Sequence, residues 1–171
     1  MPSLSIEIKA KCPEPELIRK VLKSRHARFK GLDHQVDTYF RVPSGRLKLR
    51  EGKIEKALIY YKRKNQKSSK LCDSFLFPCK NGALLKKVLT AALGILTVVD
   101  KKREIYFIKN VKFHIDRVKK LGDFVEIEVF GSAGNSNLAP LKKQCCFYQK
   151  LLRIRQKDLL KDSYSDQLLK R

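Results

Sequence analysis

The chain has 171 residues and a net charge of +22, from 39 Lys and Arg against 17 Asp and Glu. Its 43% hydrophobic content excludes a disordered polyelectrolyte, and a single domain over 1–171 is expected. No apolar run nears the ~20 residues that span a bilayer, and the start, MPSLSIEIKAK, reaches Glu7 and Lys9 too soon for a secretory segment.

Residues 3–11 alternate. Leu4, Ile6, Ile8 and Ala10 point one way; Ser5, Glu7, Lys9 and Lys11 point the other. That pattern predicts a strand with one apolar and one charged face. Pro13 and Pro15 end it. Residues 15–28 read as a helix with Leu17, Val21 and Leu22 on its apolar side and Gly31 as its stop. A second strand is expected at 35–41, a turn at Pro43-Ser44-Gly45, and strands at 46–50 and 56–63. Residues 64–70 read as a loop, 74–78 as a short strand, and 81–95 as a helix carrying Leu84, Val88, Leu89 and Ala92. Strands follow at 96–107, 110–117 and 123–130, then a loop at 131–140 and a helical region at 141–171. Within that region, 150–161 reads as an amphipathic helix.

Several of these strands stack like charges on one face. A closed antiparallel barrel with a charged, water-filled lumen uses such a pattern and concentrates positive potential on an anion. The expected class is therefore α+β: an eight-stranded closed barrel with flanking helices. Lys9, Lys11, Arg46, Lys48, Arg50, Lys62, Arg63, Lys101 and Arg103 form the cationic set. Arg offers planar paired donors to phosphate oxygens and Lys a compact charge.

The acids are fewer. Glu126 and Glu128 share one face, Glu7 shares a face with Lys9, and Asp116 with His114. Carboxylates among cations either hold Mg2+ or Mn2+ against phosphate oxygens or act as salt-bridge partners. The metal role is favoured for Glu126 and Glu128, both roles stay open for Asp116, and Asp37 is given the structural one. His26, His34 and His114 lack ligand spacing. Tyr39, Tyr60 and Tyr61 read as core. No GxxxxGK[ST] loop or nucleophile elbow occurs. Five cysteines, an odd number with no CxxC pair, indicate reduced thiols and a cytoplasmic or nuclear protein.

Four ordered segments, QVDTYFRVPSGRLKLRE (35–51), LIYYKR (58–63), VVDKKREIYF (98–107) and NVKFHIDRVKKLGDFVEIEV (110–129), resemble the CYTH domains, or triphosphate tunnel metalloenzymes, and most of all their class IV adenylyl cyclase branch. SYSDQL (163–168) resembles that branch's C-terminal end. The resemblance implies an eight-stranded tunnel that binds a triphosphate-containing molecule: a nucleotide, thiamine triphosphate or tripolyphosphate. It implies phosphate ligands at Lys9, Arg46, Lys48, Arg50, Arg63, Lys101 and Arg103, with Lys62 beside them, and catalytic positions at Lys9, Arg63 and Lys101. It places Mg2+ or Mn2+ on Glu7, Glu126 and Glu128, with Asp116 close by. One departure stands out. The family's ExExK signature reads Ser5-Ile6-Glu7-Ile8-Lys9 here, and a neutral hydroxyl is a poorer Mg2+ ligand than a carboxylate. The change bears on turnover more than on binding. A metal-dependent hydrolase or cyclase is the leading expectation. A binding module for a polyphosphate, a nucleotide or the 5′-triphosphate of RNA is the second, and a nucleic-acid binder using the outer surface the third. Sequence is silent on oligomeric state.

Overall fold

Alternation decides which way each strand faces, and in this chain the polar faces turn inward. The computed structural model describes residues 2–63, 65–131 and 137–171. Its elements run β1 (Pro2–Lys11), α1 (Pro15–Ser24), β2 (Arg28–Phe40), β3 (Arg46–Glu51), β4 (Lys56–Arg63), β5 (Lys70–Pro78), α2 (Gly82–Leu93), β6 (Ile95–Ile108), β7 (Val111–Val118), β8 (Gly122–Phe130), α3 (Ala139–Leu151) and α4 (Tyr164–Leu169), with a 3-10 turn at Gln156–Asp158. Eight antiparallel strands close a barrel in the order β1-β5-β4-β3-β2-β6-β7-β8. Lys64 and residues 132–136 of the expected loops lie outside the described residues.

The main hydrophobic core lies outside the barrel. Ile6, Ile8 and Ala10 of β1, Val111, Phe113 and Ile115 of β7, and Val125, Ile127 and Val129 of β8 pack against Ile18 and Leu22 of α1 and Cys145 of α3. Each such fully buried aliphatic side chain stabilises the fold by about 1.5–3 kcal/mol relative to exposure. With their apolar residues drawn outward under the helices, these strands turn mainly polar residues to the lumen, Phe124 and Phe130 of β8 being exceptions.

Several boundaries differ from expectation. Helix α1 stops at Ser24 because His26 takes a positive φ of 53° and turns the chain into β2. Its buried residues are Ile18 and Leu22, while Leu17 is 47% exposed. Gly31 is no helix stop. It sits at a bulge of β2, with φ 142°, where any Cβ would meet Ile54 at 2.7 Å. Helix α2 buries none of its residues, and Leu84 and Val88 are exposed. The basic segment 150–161 is not one helix: α3 ends at Leu151, and Leu159 pairs with Ala10.

That C-terminal segment crosses one end of the barrel. Leu160 N–H donates to the Lys9 carbonyl at 2.8 Å, and Lys70 Nζ donates to the Leu160 carbonyl at 2.6 Å. Tyr164 then enters the barrel beside Phe124, Tyr39 and Tyr61. The opposite end, at Lys56, Pro78 and Phe130, opens to solvent. Among the described residues, no helix is long and apolar enough to cross a membrane.

Candidate functional site

The lumen holds a cavity of about 340 Å³ lined by side chains from all eight strands. Its floor is ordered around Asp37, on β2. This carboxylate, 1% exposed, accepts from Arg50 Nε and Nη2 at 2.8 Å each, from Lys101 Nζ at 2.7 Å and from Lys48 Nζ at 3.1 Å. Burial alone would raise its pKa. Arg50, Lys101 and Lys48 together hold it well below the usual carboxylate range. Lys101 is also lowered, below the ordinary lysine value, because burial outweighs the attraction of Asp37.

A second knot joins β1, β6, β7 and β8. Glu126 accepts from Lys9 at 2.7 Å and Arg103 at 2.8 Å, and pairs with His114 Nδ1 at 3.1 Å. Arg103 also makes a paired contact with Asp116, and the Tyr164 hydroxyl donates to Asp116 at 2.7 Å. Lys9 Nζ lies 3.4 Å from the centre of the Tyr164 ring. Burial and the Arg103 charge lower His114 to about 4, so it is neutral at neutral pH. If its Nδ1–H goes to Glu126, Nε2 is left as an acceptor, buried with no protein partner among the described residues.

Glu7 and Glu128 face each other directly across the β1–β8 pair. Glu7 pairs with Arg63, and Glu128 accepts from Ser5 Oγ at 3.2 Å. Burial, then the Glu7 charge, pushes Glu128 up to about 7. Arg63 has a side chain 4% exposed, yet its Nε and Nη2 are buried with no partner among the described residues. A guanidinium that lines the cavity and keeps two buried, unmatched donors is the kind of group an oxyanion completes.

Sequence-predicted residues divide accordingly. Lys9, Lys48, Arg50, Arg63, Lys101, Arg103, Glu7, Glu126 and Glu128 all line the cavity. Lys62 is exposed and points outward, as alternation beside Arg63 requires. Arg46 lies beyond the lining residues, bound to Asp166 at 2.8 Å and Asn65 at 3.0 Å. Asp116 is fully buried behind the cavity, tied to Arg103 and Tyr164 rather than placed to hold a metal. Tyr39 and Tyr61 line the lumen, whereas Tyr60 sits outside near Ser44. His114 joins the site; His34 pairs with Asp100 on the surface.

Three charged lumen residues lie outside the sequence-predicted set, Glu55, Lys56 and Lys112. Glu55 bridges Arg50 and Lys112 from the β3–β4 turn. The turn is held by fully buried Asp33, which accepts the backbone N–H groups of Lys53, Ile54 and Glu55 at 2.7, 3.0 and 3.0 Å. The signal was Asp33 ahead of a Gly52-containing turn: a Cβ at Gly52 would lie 2.5 Å from an Asp33 oxygen.

Among the described residues, no three His, Cys, Asp or Glu side chains converge as a metal-binding group. Glu7 and Glu128 nonetheless fit a hard cation. They are adjacent, and among the described residues no Lys or Arg forms a salt bridge with Glu128, Lys112 acting on it only at longer range. Glu126, saturated by Lys9, Arg103 and His114, fits less well. The linkage follows from the sign of the Glu128 shift. Its pKa rises from 4.5 to about 7 on folding, so the folded state holds the extra proton between those values. Stability therefore falls as pH rises through that window and is lowest above it. Glu128→Gln is expected to raise the melting temperature at about pH 8 and to leave it near wild type at about pH 5. Thermal unfolding at both pH values measures this; equal shifts at the two would contradict the assignment.

Comparison with known proteins agrees with the geometry. No curated protein matches the chain in sequence. PH1012 from Pyrococcus horikoshii OT3 superposes with a TM-score of 0.81 at 26% identity, over 95% of this chain and 98% of that one. HpAC1 from Hippeastrum, a protein with a dominant triphosphatase activity, gives 0.61 at 12% identity over 98% and 94%. The Pct1 RNA triphosphatase of Schizosaccharomyces pombe gives 0.54 at 10% over 95% and 86%. These last two likenesses are of fold. The model of the CYTH domain matches residues 3–164, nearly the whole chain, and the chain belongs to that family.

Proposed function

We propose that the lumen binds a triphosphate chain end-on through its open mouth and that the protein hydrolyses it with the help of Mg2+ or Mn2+. The observation that carries this reading is Arg63, whose Nε and Nη2 are buried and unmatched in a cavity that Arg50 and Arg103 also line. Each guanidinium is anchored by a carboxylate: Arg50 by Asp37, Arg63 by Glu7, Arg103 by Asp116. Anchoring fixes the donors before the phosphates arrive, so little ordering cost remains at binding. Lys101 and Lys48 add positive potential from the Asp37 side.

Glu7 and Glu128 would hold the cation, which supplies charge neutralisation at phosphate oxygens when bound. Protonated Glu128 must release its proton for this, so cation affinity should rise with pH up to about 7 and level off above. With its Nδ1–H given to Glu126, His114 would keep Nε2 as an acceptor beside the cavity, able to take a hydrogen bond from water beside the phosphates. The test is an assay of ATP, thiamine triphosphate and tripolyphosphate with each metal. Metal-dependent phosphate release, lost in Glu7→Gln and Glu128→Gln, is expected; turnover that survives both changes would contradict the site.

Ser5 favours a second reading, a binding module without turnover. Where the family signature supplies a carboxylate, Ser5 gives Glu128 only a neutral hydroxyl contact. Tight tripolyphosphate binding with no release in any metal, and release gained by Ser5→Glu, would select it.

A further inference from the structure

The pairing of β2 with β6 runs past the end of β7. β2 pairs with β6 back to Ile95, whereas β7 joins β6 only from Lys101, opposite Val118. Residues 95–100 of β6 therefore have a strand on one side alone, and among the described residues no strand lies along the other. Their sequence, ILTVVD, is mostly β-branched and apolar, the composition of a strand that pairs readily. Ile95, Leu96 and Val98 are 38%, 36% and 43% exposed. At Asp100 the carbonyl accepts from Lys119 N–H at 2.9 Å, and so points away from β2. Backbone groups alternate sides along an antiparallel strand. The N–H and C=O of Val98 therefore point the same way, past the end of β7.

A recess of about 580 Å³ lies against this edge. Thr97, Val98 and Asp100 all line it. Neighbouring residues of a strand face opposite sides, so a recess that touches both Thr97 and Val98 runs along the edge rather than over one face. None of its lining residues lines the lumen. Its facing wall is basic: Lys119 and Lys120 come from the β7–β8 turn, and Arg171 follows α4. Both lysines are exposed. Asp100, the acid of the recess, is already paired with His34 at 2.7 Å. Lys119 reaches it only at 4.0 Å, and Lys120 has no carboxylate partner among the described residues. These charges select the occupant. A second copy of the chain, pairing edge to edge, would bring its own Lys119, Lys120 and Arg171 against the first set. An acidic strand would meet them with opposite charge.

We propose that this edge docks an extended, acidic segment of a partner protein, which adds a strand to β6 at Val98 and sets its carboxylates against Lys119 and Lys120. Hydrogen exchange and binding test it together. In the free protein the Val98 amide should exchange at least ~10-fold faster than that of Val99, which alternation turns toward β2. The probe is a peptide of about eight residues alternating Val and Glu. It is compared with one alternating Val and Lys, and with the acidic peptide N-methylated along its backbone. The acidic peptide should slow exchange at Val98 by at least ~10-fold at saturation. The other two should bind at least ~10-fold more weakly. The Lys119→Glu, Lys120→Glu double variant should bind the acidic peptide about tenfold more weakly. Its tripolyphosphate affinity should stay within about twofold of wild type, since neither lysine lines the lumen. A Val98 amide already protected in the free protein overturns the inference: the edge is then closed or, where protection rises with protein concentration, covered by a second copy. So do equal binding of the acidic and basic peptides, N-methylation without effect, binding that survives the charge reversal, or no binding of the acidic peptide at about 1 mM.

Discussion

Arg63→Ala is expected to weaken tripolyphosphate binding by about 100-fold. A charge-assisted hydrogen bond from a buried donor contributes roughly 1.5–3 kcal/mol, and Arg63 has two such nitrogens without a protein partner. Tenfold in affinity is about 1.4 kcal/mol, so even the lower figure for two bonds reaches that magnitude. The variant also leaves Glu7 unpaired opposite Glu128, adding a repulsive carboxylate pair to the cavity. Calorimetric titration at fixed ionic strength measures the effect. A loss under about threefold would mean that these donors face no phosphate.

Asp37→Ala should produce the largest loss of stability in the chain. Lys48, Arg50 and Lys101 all donate to this one carboxylate. Removing one member of a buried ion network strands the others at about 3–5 kcal/mol. For a chain of this size that corresponds to a fall of about 10 °C in melting temperature. The stranded cations remain competent to bind phosphate, so tripolyphosphate should restore much of the lost stability by mass action. Thermal unfolding with and without tripolyphosphate measures both parts. A fall without recovery would show the three cations to be purely structural.

How much was legible from residues alone follows from the physics of each feature. Strand faces have a period of two, so β1, β3, β4 and β8 and most of the lumen set could be placed before any coordinates. Lys62 was misassigned against that same rule, because it and Arg63 cannot share a face. The start of β2 was hidden by the bulge at Gly31, which breaks the period where glycine resembles a helix stop. Glu55 was invisible for another reason: it enters the lumen from a turn, and turns carry no periodicity. Its position depends on Asp33 capping three backbone N–H groups from a distant strand. In sequence, a metal role is left open for Asp116 and favoured for Glu126. Only the closed topology shows that Tyr164 and Arg103 draw the first behind the cavity wall while Glu126 lines the lumen.

The departure at Ser5 gains a physical meaning from the structure. Its hydroxyl bonds to Glu128, the cavity carboxylate whose pKa is raised to about 7. On the proposed function, cation binding and proton release would be coupled at this one residue. On the same proposal, phosphate binding would rest on the arginines of β3, β4 and β6, none of which bonds to Ser5.

The central claim is that the triphosphate lies inside the barrel. A crystal structure of the protein soaked with tripolyphosphate tests it most directly. The account predicts phosphate density in the lumen within hydrogen-bond reach of Arg63 Nε and Nη2, with Arg50 and Arg103 on the facing walls. Tripolyphosphate bound only on the outer surface, with the lumen filled by water alone, would contradict it.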